Sequence, residues 1–170
     1  DMDYLKAELP LAGNQWYFVA ASFDAATGQA TLHQVGVANR YNSRLGKVAP
    51  VEYDSHVRET LRFRPRNDAD IPFLMAGARD HHALRGHFVG QTYCGKIDRP
   101  GVQARVLTRA EVDAIARGQL PPEDGRVCYW DTTAGYTDSG IGDTVVDLGP
   151  HALHAEGVNR PNRAQTGWNW

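Results

Sequence analysis

Three histidines within seven positions, His81, His82 and His87 of RDHHALRGHFVG, form the densest set of ligand-type side chains in the sequence. Imidazole suits zinc and similar metals, but a closed site takes four ligands, and no cysteine or carboxylate stands beside them at metal-ligand spacing. His81 and His82 are also adjacent, so an extended backbone points them apart. The segment therefore reads as a polar loop at the mouth of a sheet, with the three histidines as binding candidates. A second possible chemistry is calcium. Asp24, Asp80, Asp98 and Asp131 fall near strand ends, and the first three are the candidate ligands on a sheet rim. Turns favour aspartate for its own hydrogen bonds, which is the competing explanation. A third set is basic: Arg58, Arg62, Arg64 and Arg66, with Leu61 and Phe63 between them. Asp68 and Asp70 follow at once and the net charge is -2, so nucleic acid is not the expected partner. Arg62, Arg64 and Arg66 are candidates for an interface or a solvated strand face.

Covalent and acid–base chemistry finds no assembled site, and no catalytic residue is assigned. The serines at 22, 43, 55 and 139 lack the sharp glycine-flanked turn of a hydrolase nucleophile. Gly140 and Gly142 have no third glycine or following helix to cradle a phosphate. No pair of acids alternates along a strand, as glycoside cleavage would require. Cys94 and Cys128 lie in strand-like segments without a histidine or helix start to activate them. They read as buried, reduced thiols, with a cross-strand disulfide as the alternative.

The elements that would position these groups are mostly strands. Trp16 to Asp24 and Ala30 to Val35 alternate around a turn at Asp24–Gly28, which predicts a hairpin. Its first strand is apolar on both faces, as expected of a central strand in a sandwich. Residues 38 to 70 are polar and predict a long excursion, with Val57 to Arg66 as a strand wet on one side. Ile71 to Ala78 predicts a short buried strand, and His87 to Asp98 another. Arg126 to Asp131 and Thr144 to Leu148 predict two more, joined by a turn at Ser139 to Gly142.

One helix stands out. Thr108 and Glu111 form a capping box, which starts the helix at about Arg109. Leu107, Val112, Ile115 and Ala116 supply its apolar side, Gly118 a left-handed stop, and Pro121-Pro122 prevent resumption. The sum is a mostly β fold, a two-sheet antiparallel jelly-roll sandwich with one short helix at about 108–117.

A chain of 170 residues suits one domain, taken here as 1–158 with an extended tail at 159–170. Apolar runs fall far short of a membrane span, and a pI near 6.4 gives no field to attract an anionic membrane. Few cysteines and no N-x-Ser/Thr acceptor fit a cytoplasmic protein. Asp1 in place of methionine, and Trp168 and Trp170 at the other end, point to a piece of a longer polypeptide.

Two blocks carry a resemblance. W-x-x-V-A-x-S-F-D-x-x-T-G over Trp16–Gly28, and the block Gly77–Ile115 with its A-G-A strand, C-G-K-I-D and L-T-x-A-E-V, resemble laminin-G or concanavalin-A-like jelly rolls. The C-terminal stretch is more specific. Cys128 to Asp131, Val146-Asp147, and then Asn159, Pro161, Arg163, Ala164, Thr166, Gly167 and Trp170 resemble the end of the jelly-roll domain in the N,N-dimethylformamidase large-subunit family. Thr132-Thr133 departs from the aromatic-serine pair expected there. The resemblance implies that the intact protein is an amide hydrolase whose iron, held by tyrosines and a glutamate, lies in a following domain. None of those ligands maps onto this chain, so no cofactor is expected in it. Few residues precede Trp16 for the strands a laminin-G jelly roll places there. Further domains or subunits of the same enzyme, in an oligomer, are therefore the expected partners. A free-standing lectin-like carbohydrate-binding module is the alternative.

Overall fold

The structure is a computed structural model that describes residues 5–13, 15–37, 54–62, 73–84, 86–132, 134 and 144–158, with backbone alone at 79–82 and 87. Arg64, Arg66, most of the polar excursion, the turn at Ser139–Gly142 and the tail passage from Asn159 lie outside the described residues.

The chain is mostly strands with one short helix, and all strand pairs are antiparallel. β1 (Tyr17–Asp24), β2 (Gln29–Gly36) and β3 (Ser55–Thr60) form a three-stranded sheet in that order. β4 (Ala78–His82) pairs with β5 (Gly86–Gly90). β6 (Gly101–Gln103) pairs with β7 (Arg126–Tyr129), and β8 (Thr144–Val145) with β9 (Ala155–Glu156).

The β1–β2 hairpin is where its local chemistry placed it. Asp24 ends β1, and its carboxylate accepts from the Ala26 N–H at 2.9 Å and the Thr27 hydroxyl at 2.8 Å. Gly28 takes a φ of +73°, which a side chain at that position would resist. Among the described residues, β1 is an edge of its sheet rather than the expected central strand, with Val19 53% exposed. β2 is central, and its Ala30 and Gln34, with Ser55 of β3, are buried on one side.

Four expectations about the strands are corrected. The described part of the apolar run, from Phe73, does not form a buried strand: Phe73 is 68% exposed, Ala76 turns left-handed at φ 59°, and β4 begins only at Ala78. The histidine segment is a hairpin rather than a loop. β5 opens on Gly86 at φ 69°, a left-handed glycine of the kind hairpins use beside their turns. β5 stops at Gly90, so the predicted strand from His87 to Asp98 is mostly irregular, and Cys94 is exposed rather than buried. The strand expected from Val57 begins and ends earlier, leaving Leu61 and Arg62 beyond β3.

Helix α1 (Arg109–Ala116) follows its capping box as read. Glu111 N–H donates to Thr108 Oγ1 at 3.3 Å, and the Glu111 carboxylate accepts from Thr108 N–H at 2.7 Å. Gly118, at φ 92°, closes the far end, with its N–H on Ile115 O and that of Gln119 on Ala114 O. Val112 is the buried residue of the helix.

Burial concentrates on β7. Cys128, Tyr129 and Trp130 are consecutive and all buried, so both faces of this strand are covered. Among the described residues, only Ala30 and Val112 join them as buried hydrophobic residues.

Candidate functional site

The end of β7 is the most constrained polar site in the described structure. Asp147, 5% exposed, spreads its carboxylate over three backbone donors: Tyr129 N–H and Gly149 N–H on Oδ1 and Leu153 N–H on Oδ2, each at 2.7 Å. Its own N–H donates to His154 Nδ1 at 3.1 Å. Trp130 completes the knot, donating from Nε1 to Leu153 O at 2.8 Å, while Phe73 stacks on its ring at 5.9 Å. A backbone bridge joins Trp130 and Asp147 directly. Gly149 is obligatory by contact: a Cβ there would fall 2.8 Å from Cys128 Cα.

The electrostatics are those of a structural clasp. Burial pushes the Asp147 carboxyl up, but the N–H donors of Tyr129, Gly149 and Leu153, with His154, outweigh it and hold the group below the usual carboxylate range. It is therefore a fixed anion with its lone pairs in use. Burial pushes the Cys128 thiol up, away from nucleophilic use. Burial also raises the Tyr129 phenol, against an opposing effect of Arg99, which disfavours the phenolate that a metal would bind. Tyr93 is 54% exposed, and Tyr136 lies outside the described residues.

A second network ties helix α1 to the loop before it. The guanidinium of Arg105 grips Glu111 through two N–H donors at 2.6 and 3.1 Å and reaches Asp124 at 3.0 Å. Arg105 first, then the Thr108 N–H and hydroxyl, lower the Glu111 carboxyl to about 2. Its folded value lies below its unfolded one, so the stabilisation is present above the unfolded value and is lost as pH falls towards about 2. Replacing Arg105 by alanine is expected to move the Glu111 midpoint up towards 4.5, read by NMR titration of the side-chain carboxyl; an unmoved midpoint would assign the shift to the cap alone.

The candidates from the sequence separate. Asp24 uses both carboxylate oxygens inside its own turn, and the Thr27 hydroxyl, with the Ala26 N–H, lowers its carboxyl. Asp98 accepts from the Thr132 hydroxyl at 3.2 Å and neighbours Arg99 at 3.5 Å. Asp80 sits in β4 opposite Phe88. Among the described residues, no group of three or more histidines, cysteines or acids is placed to hold a metal. The register sets His81 opposite His87 on one face of the hairpin and His82 opposite Gly86 on the other. Arg62 lies just past β3 and is exposed. Sequence reasoning did not find Trp130, Leu153 and His154 as one unit. The signal was the Val146-Asp147 pair that carries part of the resemblance, whose aspartate is the centre of the clasp.

No family model matches the chain. Two curated proteins do. The N,N-dimethylformamidase beta subunit of Paracoccus aminophilus is 36% identical over 170 residues, covering 96% of this chain and 22% of that protein. The protein of the same name from Alcaligenes sp is 32% identical, with the same 96% and 22% coverage. No helix among the described residues is long and apolar enough to cross a membrane. The chain is thus related along nearly its whole length to one segment, 22% of the total, of the N,N-dimethylformamidase beta subunits it matches.

Proposed function

We propose that this chain is a non-catalytic, jelly-roll-type domain of a dimethylformamidase-like amide hydrolase, serving assembly and shaping access to an active site in another part of the protein. The three-stranded sheet and the β6–β7 pair are read as portions of its two facing sheets. The observation that carries the reading is the exposed apolar series on and after the β4–β5 hairpin. Leu84, Phe88, Val89, Tyr93 and Ile97 are 91%, 41%, 51%, 54% and 41% exposed. They are five of the fourteen large apolar residues exposed among the described residues, and Phe88 and Val89, neighbours in β5, put one on each face of the hairpin, which suits an element that another part of an enzyme covers. The relatives' length is consistent with such a neighbour, since the chain spans 22% of it. The iron implied by the family resemblance would belong to a following domain, and no step is assigned to residues of this chain.

The test is release of dimethylamine from dimethylformamide, with iron measured on the same sample. The 170-residue chain is compared with a polypeptide as long as the curated relatives. Turnover and iron in the longer polypeptide alone are the expected result. Turnover by the short chain would overturn the reading and return attention to His81, His82 and His87. A free-standing lectin-like module would instead hold immobilised glycan without a partner, which a glycan-binding screen of the short chain distinguishes.

A further inference from the structure

A chain of polar groups links helix α1 to the three-stranded sheet. His33 of β2 and His56 of β3 are register partners and share a face. Their Nδ1 atoms lie 2.9 Å apart, with the rings edge-on at 5.1 Å. Arg109, the first residue of α1, brings Nη2 to 2.8 Å from His56 Nε2, while its Nε donates to Asp113 at 2.8 Å. A guanidinium has donors only and keeps its charge at every relevant pH. His56 Nε2 must therefore accept, which leaves the single ring proton of His56 on Nδ1. That proton is donated to His33 Nδ1, so His33 carries its own proton on Nε2.

In this arrangement both rings are neutral and each has one tautomer. A second proton breaks the chain wherever it lands. On His56 it turns an N–H against Arg109, and on His33 it sets two N–H groups against each other across 2.9 Å. Metal capture by the two Nδ1 atoms meets the same obstacle, because the Arg109 contact requires a proton on one of them.

We propose that Arg109, His56 and His33 form a proton-sensitive clasp that docks the first turn of α1 on β2 and β3 when both histidines are neutral and releases it on acidification. The surrounding charges do not remove this dependence. From α1 come Arg109 and Asp113, the latter held by Arg109. Along β3 and just before it, Arg58 donates to Gln29 and Asp54 accepts from Gly36 N–H at 2.8 Å. β1 places only Ala20 opposite His33. Burial first, then His56 and Arg109, lower the His33 ring from its ordinary value, with Asp113 opposing. Such a ring charges more readily in the unfolded chain. Its stabilisation is therefore present above about pH 6.5 and is lost as pH falls from there towards the folded value.

The test is native-state hydrogen exchange of the α1 amides in the 170-residue chain at about pH 7.5 and 5.5, either side of the ordinary histidine value, each rate referred to its intrinsic value. Protection of Val112 to Arg117 is expected to fall about fivefold at the lower pH, the order expected for one net hydrogen bond, while the β1–β2 hairpin keeps its protection. In a double variant, His33→Gln with His56→Gln, which keeps an acceptor for Arg109 but leaves no imidazole in the clasp, the difference should vanish. Equal protection at both pH values in the unsubstituted chain, or an undiminished fall in the variant, would overturn the clasp. Should the variant lose hairpin protection, imidazole ¹⁵N shifts of the unsubstituted chain decide. Neutral rings with these tautomers that charge as α1 opens support it, and rings already charged at the higher pH overturn it.

Discussion

Replacing Asp147 by alanine is expected to destabilise the fold by about 3–5 kcal/mol, because three charge-assisted hydrogen bonds disappear together and leave backbone donors without an acceptor. Tyr129 N–H is the most costly of these, since it lies in the buried stretch of β7. Asparagine separates the contributions. Its oxygen can take the Oδ1 position shared by Tyr129 and Gly149, but its amide then faces the Leu153 N–H that Oδ2 accepted. Asp147→Asn should therefore cost about half as much as Asp147→Ala, a loss on the order of 2 kcal/mol. Denaturant midpoints at about neutral pH, with an unchanged slope, would give both values. Equal small losses for the two variants would show that water replaces the carboxylate and that the clasp is not structural. The pH dependence has a fixed sign. The folded-state carboxyl lies below its ordinary value, so its stabilisation is complete above the unfolded value near 4 and is lost as pH falls through the folded one.

Trp130→Ala should be comparably damaging, about 3–5 kcal/mol, as expected for emptying a buried aromatic site. The indole is 6% exposed, stacks on Phe73 and donates to Leu153 O. Trp130→Phe keeps a ring against Phe73 and removes only the donor, so a loss of about 1–2 kcal/mol is expected. Leu153 gives a sharper test, because its N–H serves Asp147 and its carbonyl serves Trp130. Once either contact is gone, the loop is already loose and the second loss costs less. Trp130→Phe combined with Asp147→Asn should therefore destabilise by less than the sum of the two single changes. Strict additivity would mean that the two contacts are independent and that the loop is held elsewhere. Against a total stability of about 5–15 kcal/mol for an ordinary domain, either large truncation should leave a measurable unfolded population.

These residues also bear on the proposed role. The clasp fixes the segment that precedes the tail passage, and its aspartate belongs to the stretch that carries the family resemblance. A domain that orients a neighbour needs a rigid exit more than a reactive one. Asp147, with its oxygens occupied and its charge held fixed, is suited to that task. Under the proposed accessory role, loss of the clasp is expected to lower the activity of the longer polypeptide by weakening assembly.

The elements legible in the sequence are those whose determining contacts lie within a few residues. The Asp24–Gly28 turn holds itself with Asp24 and Thr27, and its length sets the register of the two strands it joins. The α1 cap closes over Thr108 to Glu111 and its stop over Ala114 to Gln119, so propensity and capping place both ends. The β4–β5 hairpin had a local signal in Gly86, but histidines and charges concealed the strands on either side of it.

Only the tertiary structure decided which distant groups meet. Asp147 meets Tyr129 across 18 positions, Trp130 meets Leu153 across 23, and His33 meets His56 across 23. Among the described residues it also placed β1 at an edge, where an apolar strand had looked central. The physical reason is that alternation fixes which residues share a face of a strand but not which strand lies beside it. A one-residue slip in that pairing would separate each of these partners, and no interaction near them in sequence penalises the slip.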